Sequence, residues 1–204
     1  VMHRRIRFVG DARARCKEDY LRILRYFRFY ARFGGGPVDQ DALNAVIENW
    51  HELFVHVSGE RMWDETKKIL SLPDPVPALV LMERLGILRH LLHKDHNDPW
   101  WLYALIRAEQ SISAPVDWHR RYVALAGAVK PQWPISRAEE KRLRQTAQNA
   151  HVGHAPALLA FQYREAEIAR DCHLLNRAES FMPAMSVDAL DAEIGRGLAA
   201  ELPV

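Results

Sequence analysis

One stretch constrains this chain more than any other. Residues Lys17 to Phe33, KEDYLRILRYFRFYARF, set two acids and four arginines among six aromatic rings, with no proline or glycine to interrupt them. At 3.6 residues per turn, Tyr20, Ile23, Leu24, Phe27, Tyr30 and Ala31 share one apolar face, which belongs in a core. The opposite face takes Glu18, Arg22, Arg25, Phe29 and Arg32, and Asp19 and Arg28 lie on the flanks between the two. The spacing predicts one main helix, preceded at most by a short helical turn through Ala12 to Cys16. The acids fall in its first turn, where unpaired amide groups and the helix dipole favour negative charge. Glu18 precedes Arg22 by four residues and Asp19 precedes it by three, so either carboxylate can reach that guanidinium.

Such a cluster has a specific chemical use. A carboxylate only accepts hydrogen bonds, whereas a guanidinium only donates them, in a rigid planar fork. Cytosine and adenine each present an exocyclic amino donor beside a ring-nitrogen acceptor, so an Asp and an Arg side by side match either base. Uracil and guanine present the opposite order and leave both side chains unpaired, which is the condition for discrimination by about ten-thousand-fold or more. On spacing alone, an ordinary amphipathic helix with i,i+4 ion pairs accounts for the same residues.

The segment IRFVGDARARCKEDYLRILRYFRFYARFG, followed by SGERMWDETKKIL, resembles the neck of the tRNA nucleotidyltransferase and bacterial poly(A) polymerase family, in the class of the bacterial and mitochondrial CCA-adding enzymes. The first segment matches the family's nucleotide-recognition motif and the second its helix-capping motif. The resemblance implies that Asp19 and Arg22 pair with the incoming CTP or ATP and that Glu18 orients Arg22. It also implies that Arg25 and Arg28 face the nucleotide's phosphates or sugar. Ser58, Glu60, Arg61 and Glu65 match the capping motif and are expected to fix the turn of the neck, with Ser58 capping the helix that starts at Gly59. Ala12 stands where the family usually has proline.

The family's catalytic head would precede this motif and hold two magnesium ions on a D-x-D carboxylate pair. No D-x-D pair stands ahead of the motif here, and the cluster Asp95, His96 and Asp98 follows it. The resemblance therefore implies the C-terminal part of such an enzyme: residues 1–10 as the exit from a head outside this chain, 11–72 as the neck, and 73–204 as a helical, RNA-binding body. No catalytic residue and no metal site are expected in this chain, which should be inactive by itself.

Net charge is only +2 over 204 residues, but its distribution is uneven. Residues 1–32 hold ten Lys plus Arg against three acids, or +7, so the remainder carries 18 minus 23, or −5. A basic end of this kind faces an anion. Two cysteines far apart, Cys16 and Cys172, suggest a reducing compartment without a disulfide framework. No apolar run approaches a membrane span, and no signal-type segment follows the basic start, so a cytoplasmic or organelle-matrix location is expected.

Beyond the lead-in Val1–Val9, read as extended, the remaining periods are helical, which makes the fold class all-α. Gly34–Gly36 and Pro37 end the main helix. Further helices are expected over Asp39–Phe54, with Leu43, Val46, Ile47, Trp50 and Phe54 inward, and over Gly59–Leu70, with Met62, Ile69 and Leu70 inward. The prolines between Pro73 and Pro77 mark the neck-to-body junction. Helical periods follow over Val76–Leu85, Trp100–Glu109, Asp117–Val129, Ser136–Ala150, Pro156–Ala178 and Ser186–Leu202. Arg32, Lys67, Lys68, Arg137, Lys141 and Arg144 are candidate contacts to an RNA backbone. Trp100, Trp101, Trp118 and Trp133 read as packing residues before base-stacking ones. His93 to Asp98 reads as a polar loop before a metal site.

The function these readings imply is CCA addition to tRNA 3′ ends from CTP and ATP with magnesium, this chain supplying base selection and tRNA binding. Poly(A) addition from ATP alone is the alternative within the family, and a non-catalytic helical RNA-binding module or a metal hydrolase the alternatives outside it.

Overall fold

The computed structural model describes residues 4–94, 99–128, 131–150, 153, 155–180 and 185–200, and among these every regular element is a helix. The chain forms two compact units, Val1–Asn97 with Pro131–Pro134 and Asp98–Lys130 with Ile135–Val204.

The first unit holds α1 (Ala12–Glu18), α2 (Arg22–Phe33), α3 (Gln40–His56), α4 (Gly59–Leu70), α5 (Val76–Arg84) and α6 (Ile87–Leu92). Where one helix was expected from Lys17 to Phe33, the chain makes two. Asp19 is extended, with φ −159° and ψ 102°, and its Oδ1 accepts the Leu21 N–H at 3.2 Å. A short acidic side chain that bonds its own backbone offers an alternative to the helical ladder, and here the alternative wins. The break lets α1 pack on α3 while α2 packs on α3, α4 and α5. Ile23, Leu24 and Phe27 are buried on α2 as predicted, and Tyr26 joins them because Phe8 of the lead-in stacks on it at 5.6 Å. Residues 4–9 of the lead-in carry no strand and are not uniformly extended, since Arg4 is left-handed at φ 45°; an Arg5–Asp39 ion pair at 3.0 Å ties them to the start of α3.

Helix α2 stops at the predicted glycines, by a different device. Gly34 is extended rather than left-handed, and a Cβ there would overlap the Tyr30 carbonyl that its own N–H binds at 2.9 Å. On α3 the buried set is Ala42, Ala45, Val46, Asn49, Trp50 and Leu53, whereas Ile47 is 44% exposed. Val46 and Trp50 are inward as expected, and the face is completed at i, i+3, i+4, i+7, i+8 and i+11 by Ala42, Ala45, Asn49 and Leu53 rather than by Leu43, Ile47 and Phe54. Ser58 occupies the N-cap of α4, but its side chain makes no capping bond. Helix α5 packs back on α2, so the proline-rich run turns the chain without leaving the first unit.

The second unit holds α7 (Pro99–Ser111), α8 (Trp118–Ala126), α9 (Arg137–Asn149), α10 (Pro156–Tyr163), α11 (Ala166–Ser180) and α12 (Val187–Ala199). The expected helix over Pro156–Ala178 is broken at Arg164, which is left-handed at φ 55°. That conformation lets Arg164 Nη1 donate to the Leu198 carbonyl of α12 at 2.7 Å. Gly197 fits the same junction, since a Cβ there would collide with the Ala157 backbone of α10. Leu159, Ala160, Ile168, Ala169, Cys172, Leu190 and Ile194 form the apolar cluster between α10, α11 and α12.

A buried ionic cluster crosses the second unit. Glu109 accepts from Arg120 Nε at 2.9 Å and from Arg121 Nε and Nη2 at 3.0 and 2.8 Å. Asp171 accepts from Arg120 Nη1 at 2.9 Å and from Arg142 Nη2 at 2.6 Å, and Arg142 also reaches Asp117 at 2.8 Å. Glu109, Arg120, Arg121 and Asp171 are each at most 2% exposed. Burial raises the Asp117 carboxyl's pKa, but the His119 hydrogen bonds and the Arg142 charge together outweigh it and hold the group well below its ordinary value. Three carboxylates thus balance three guanidinium groups, of which only Arg142 and Asp117 keep part of their side chains in water.

Candidate functional site

The break between α1 and α2 builds the site. It places Glu18 at the end of one helix and Arg22 at the start of the next, so the i,i+4 pair survives across the turn. Arg22 Nη1 donates to Glu18 Oε2 at 2.5 Å and to the Arg15 carbonyl at 3.0 Å. Arg15 Nη1 donates to the same carboxylate at 2.9 Å. The Arg22 hydrogen bond, joined by Arg15, lowers the Glu18 carboxyl's pKa, so Glu18 stays ionised and keeps its grip on Arg22 at neutral pH. Among the described residues Arg22 Nε and Nη2 make no hydrogen bond, which leaves two donors in one plane for another molecule.

Asp19 is held by different partners from those the spacing suggests. Its two oxygens lie 3.2 Å from Arg61 Nη2, at the start of α4, and its Oδ2 lies 3.7 Å from Arg25 Nη1. Arg28 is turned toward α4: its Nε donates to the buried Glu65 at 2.8 Å, and Lys68 donates to the other Glu65 oxygen at 2.9 Å. Arg61 and Glu65 therefore tie the Asp19 turn and helix α2 to α4, whereas Glu60 is exposed on the first turn of α4.

Beside this turn lies a cleft of about 320 Å³ whose walls include Arg7, Arg15, Arg22 and Arg25 with Phe8, Tyr26 and Phe29. The four arginines offer phosphate contacts, and of the three rings Phe29 is exposed while Phe8 and Tyr26 stack on each other. Arg7 was not singled out in the sequence; the signal available was the alternation of basic and apolar residues through Ile6, Arg7 and Phe8.

The candidate RNA contacts divide between the two units. In the first, Arg32 is exposed with its guanidinium 5.2 Å from the Phe33 ring centre, Lys67 pairs with Asp64 at 3.2 Å, and Lys68 pairs with Glu65. In the second, Arg137, Lys141 and Arg144 share the exposed side of α9, where Lys141 pairs with Glu165. Of the tryptophans, Trp100 and Trp101 are 51% and 40% exposed, Trp118 stacks on His119 at 3.7 Å, and Trp133 packs 5.5 Å from His93.

Nothing described fits a two-magnesium centre. Asp39-Gln40-Asp41, a D-x-D spacing that follows the motif, opens α3, where Asp39 accepts the Ala42 N–H at 3.0 Å and pairs with Arg5. No group of three His, Cys, Asp and Glu side chains converges among the described residues, and Asp95, His96 and Asp98 lie outside them. Cys16 and Cys172 are free and buried, and burial pushes their thiols up to about 11 and about 12, so neither is a thiolate at neutral pH. No helix among the described residues is long and apolar enough to cross a membrane.

Among the described residues, then, a helical fold sets an arginine- and aromatic-lined cleft beside the E-D-x-L-R turn. Comparison with known proteins finds a stretch of this chain similar to CCA tRNA nucleotidyltransferases. The mitochondrial CCA tRNA nucleotidyltransferase 1 of Mus musculus is 49% identical over 92 residues, 44% of this chain and 21% of that protein. The CCA-adding enzyme of Geobacillus sp. (strain WCH70) is 38% identical over 91 residues, 45% of this chain and 22% of that protein. The chain thus spans about a fifth of these relatives. A family model described as a probable RNA and SrmB-binding site of polymerase A matches residues 38–97. The fold extends the likeness further: the Thermotoga maritima CCA-adding enzyme complexed with tRNA superposes on 98% of this chain and 52% of its own, with a TM-score of 0.63 at 15% identity. A CCA-adding enzyme in complex with ATP covers 97% of this chain and 50% of its own, at 0.62 and 17%.

Proposed function

We propose that this chain supplies base selection and RNA binding to a nucleotidyltransferase that adds CCA to tRNA 3′ ends. The observation that carries the reading is Arg22: clamped through one nitrogen by Glu18 and the Arg15 carbonyl, it presents its two remaining donors beside an aromatic cleft. A guanidinium fixed in this way is a preorganised template for a ring-nitrogen acceptor, and Asp19, three residues earlier in the same turn and held by Arg61, supplies the carboxylate that accepts from an exocyclic amino group. Cytosine and adenine satisfy both partners. Arg25, Arg15 and Arg7 give the triphosphate and ribose their contacts, while Arg28 acts through Glu65 to hold α2 in place. Magnesium and the transfer of the nucleotidyl group belong to a catalytic head, and the exposed cations Arg32, Arg137 and Arg144 meet the tRNA backbone. Two unpaired cysteines fit a reducing compartment, the cytoplasm or an organelle matrix.

In a protein carrying this chain together with its head, Arg22→Ala is expected to lower incorporation of both labelled CTP and labelled ATP by about a hundredfold or more, with helix content unchanged by circular dichroism. Incorporation equal to the parent's would remove Arg22 from base selection. The parent's own preference separates the two activities of the family: CTP and ATP together for CCA addition, ATP alone for poly(A) addition.

A further inference from the structure

Helix α2 carries a second aromatic feature outside the apolar face. Phe29 and Phe33, one turn apart, are 41% and 48% exposed and stack on each other with ring centres 6.2 Å apart at 24°. A guanidinium sits against each ring: Arg28 is 4.9 Å from the Phe29 centre and Arg32 is 5.2 Å from the Phe33 centre. The charge of Arg28 is matched by Glu65, whereas Arg32 has no acidic partner among the described residues. Phe29 also forms part of the wall of the cleft that contains Arg22 and Arg25, so the pair begins where the cleft ends.

We infer that Phe29 and Phe33 are a stacking platform for the unpaired bases at the 3′ end of an RNA, with Arg32 on the adjoining phosphate. Two rings that are 41% and 48% exposed leave aromatic area in water beside the unmatched charge of Arg32, and aromatic surface for bases next to a cation for phosphate is what single-stranded nucleic acid requires. Charge complementarity favours this occupant over an apolar protein segment, because Arg32 beside the rings carries a charge that no acid among the described residues matches. The inference rests on the nucleotidyltransferase reading, in which an acceptor 3′ end must lie beside the incoming nucleotide, and it extends that reading from the nucleotide to the acceptor.

The test uses a short RNA oligonucleotide with 2-aminopurine at its 3′ end and a second with the label at its 5′ end. Binding of this chain should quench the 3′ label more than the 5′ label. Phe33→Leu, which keeps an apolar side chain but removes the π-face, should abolish the quenching and weaken binding by about tenfold or more. Phe33 lies outside the cleft wall, so CTP titrated into the same samples reports on the nucleotide site separately. Loss of CTP binding in Arg22→Ala with 3′ quenching retained would support both sites as distinct. Unchanged RNA affinity and quenching in Phe33→Leu would overturn the platform, as would the absence of 3′ quenching in the parent, which would assign the rings to contact with another protein segment.

Discussion

Arg120→Met is expected to destabilise the second unit by about 3–5 kcal/mol, although methionine replaces much of the aliphatic volume. Arg120 binds Glu109, Asp171 and the Pro115 carbonyl through three different nitrogens and is 1% exposed. Its loss leaves three carboxylates facing the two guanidinium groups of Arg121 and Arg142, and a buried charge without compensation costs more than the pair contributed. Amide hydrogen exchange in α8 and α11 reads the effect directly, as a fall in protection of roughly a hundred- to several-thousandfold. Protection equal to the parent's would mean that water reaches the cluster and solvates the orphaned carboxylates.

Phe27→Ala carries an expected loss of about 3–5 kcal/mol in the first unit. The ring is 0% exposed and packs edge-on against Tyr26 at 5.5 Å, in the face of α2 that meets α4 and α5. Truncation removes transfer free energy and leaves a cavity that those helices cannot fill. Reduced exchange protection along α2 and α4 checks it. An unchanged stability would place the core on the opposite face of α2, where Arg22 and Arg25 stand, and would undo the base-selection site together with the packing.

The legible parts of this chain are those in which interacting residues lie within a turn of one another. Ile23, Leu24 and Phe27 announce their face by helical spacing, and Glu18 announces its bond to Arg22 by the same rule. The contacts that complete the site do not: Arg61 reaches Asp19 across 42 residues and Arg28 reaches Glu65 across 37. Spacing says nothing about such pairs, and only the order of two motifs pointed to α4 as a partner of α2. The break at Asp19 had a local signal, an aspartate inside a helical run, which the density of apolar residues around it obscured. The break at Arg164 had none, since it depends on a carbonyl in α12. Likewise nothing local marks Arg120 and Arg121 as buried, because Glu109 and Asp171 reach them from other helices. Tyr26 lay off the predicted face because that face was drawn for an isolated helix, and Phe8 covers what the wheel left open.

Base selection by this chain rests on Arg22 reading the edge of a base. The most direct measurement is the Arg22 Nε–Hε resonance in an ¹⁵N-labelled sample of this chain titrated with each of the four ribonucleoside triphosphates. CTP and ATP should shift it in a saturable manner while UTP and GTP leave it in place. Equal shifts from all four would reduce Arg22 to a phosphate contact, and no shift from any would contradict the assignment of this turn as the nucleotide template.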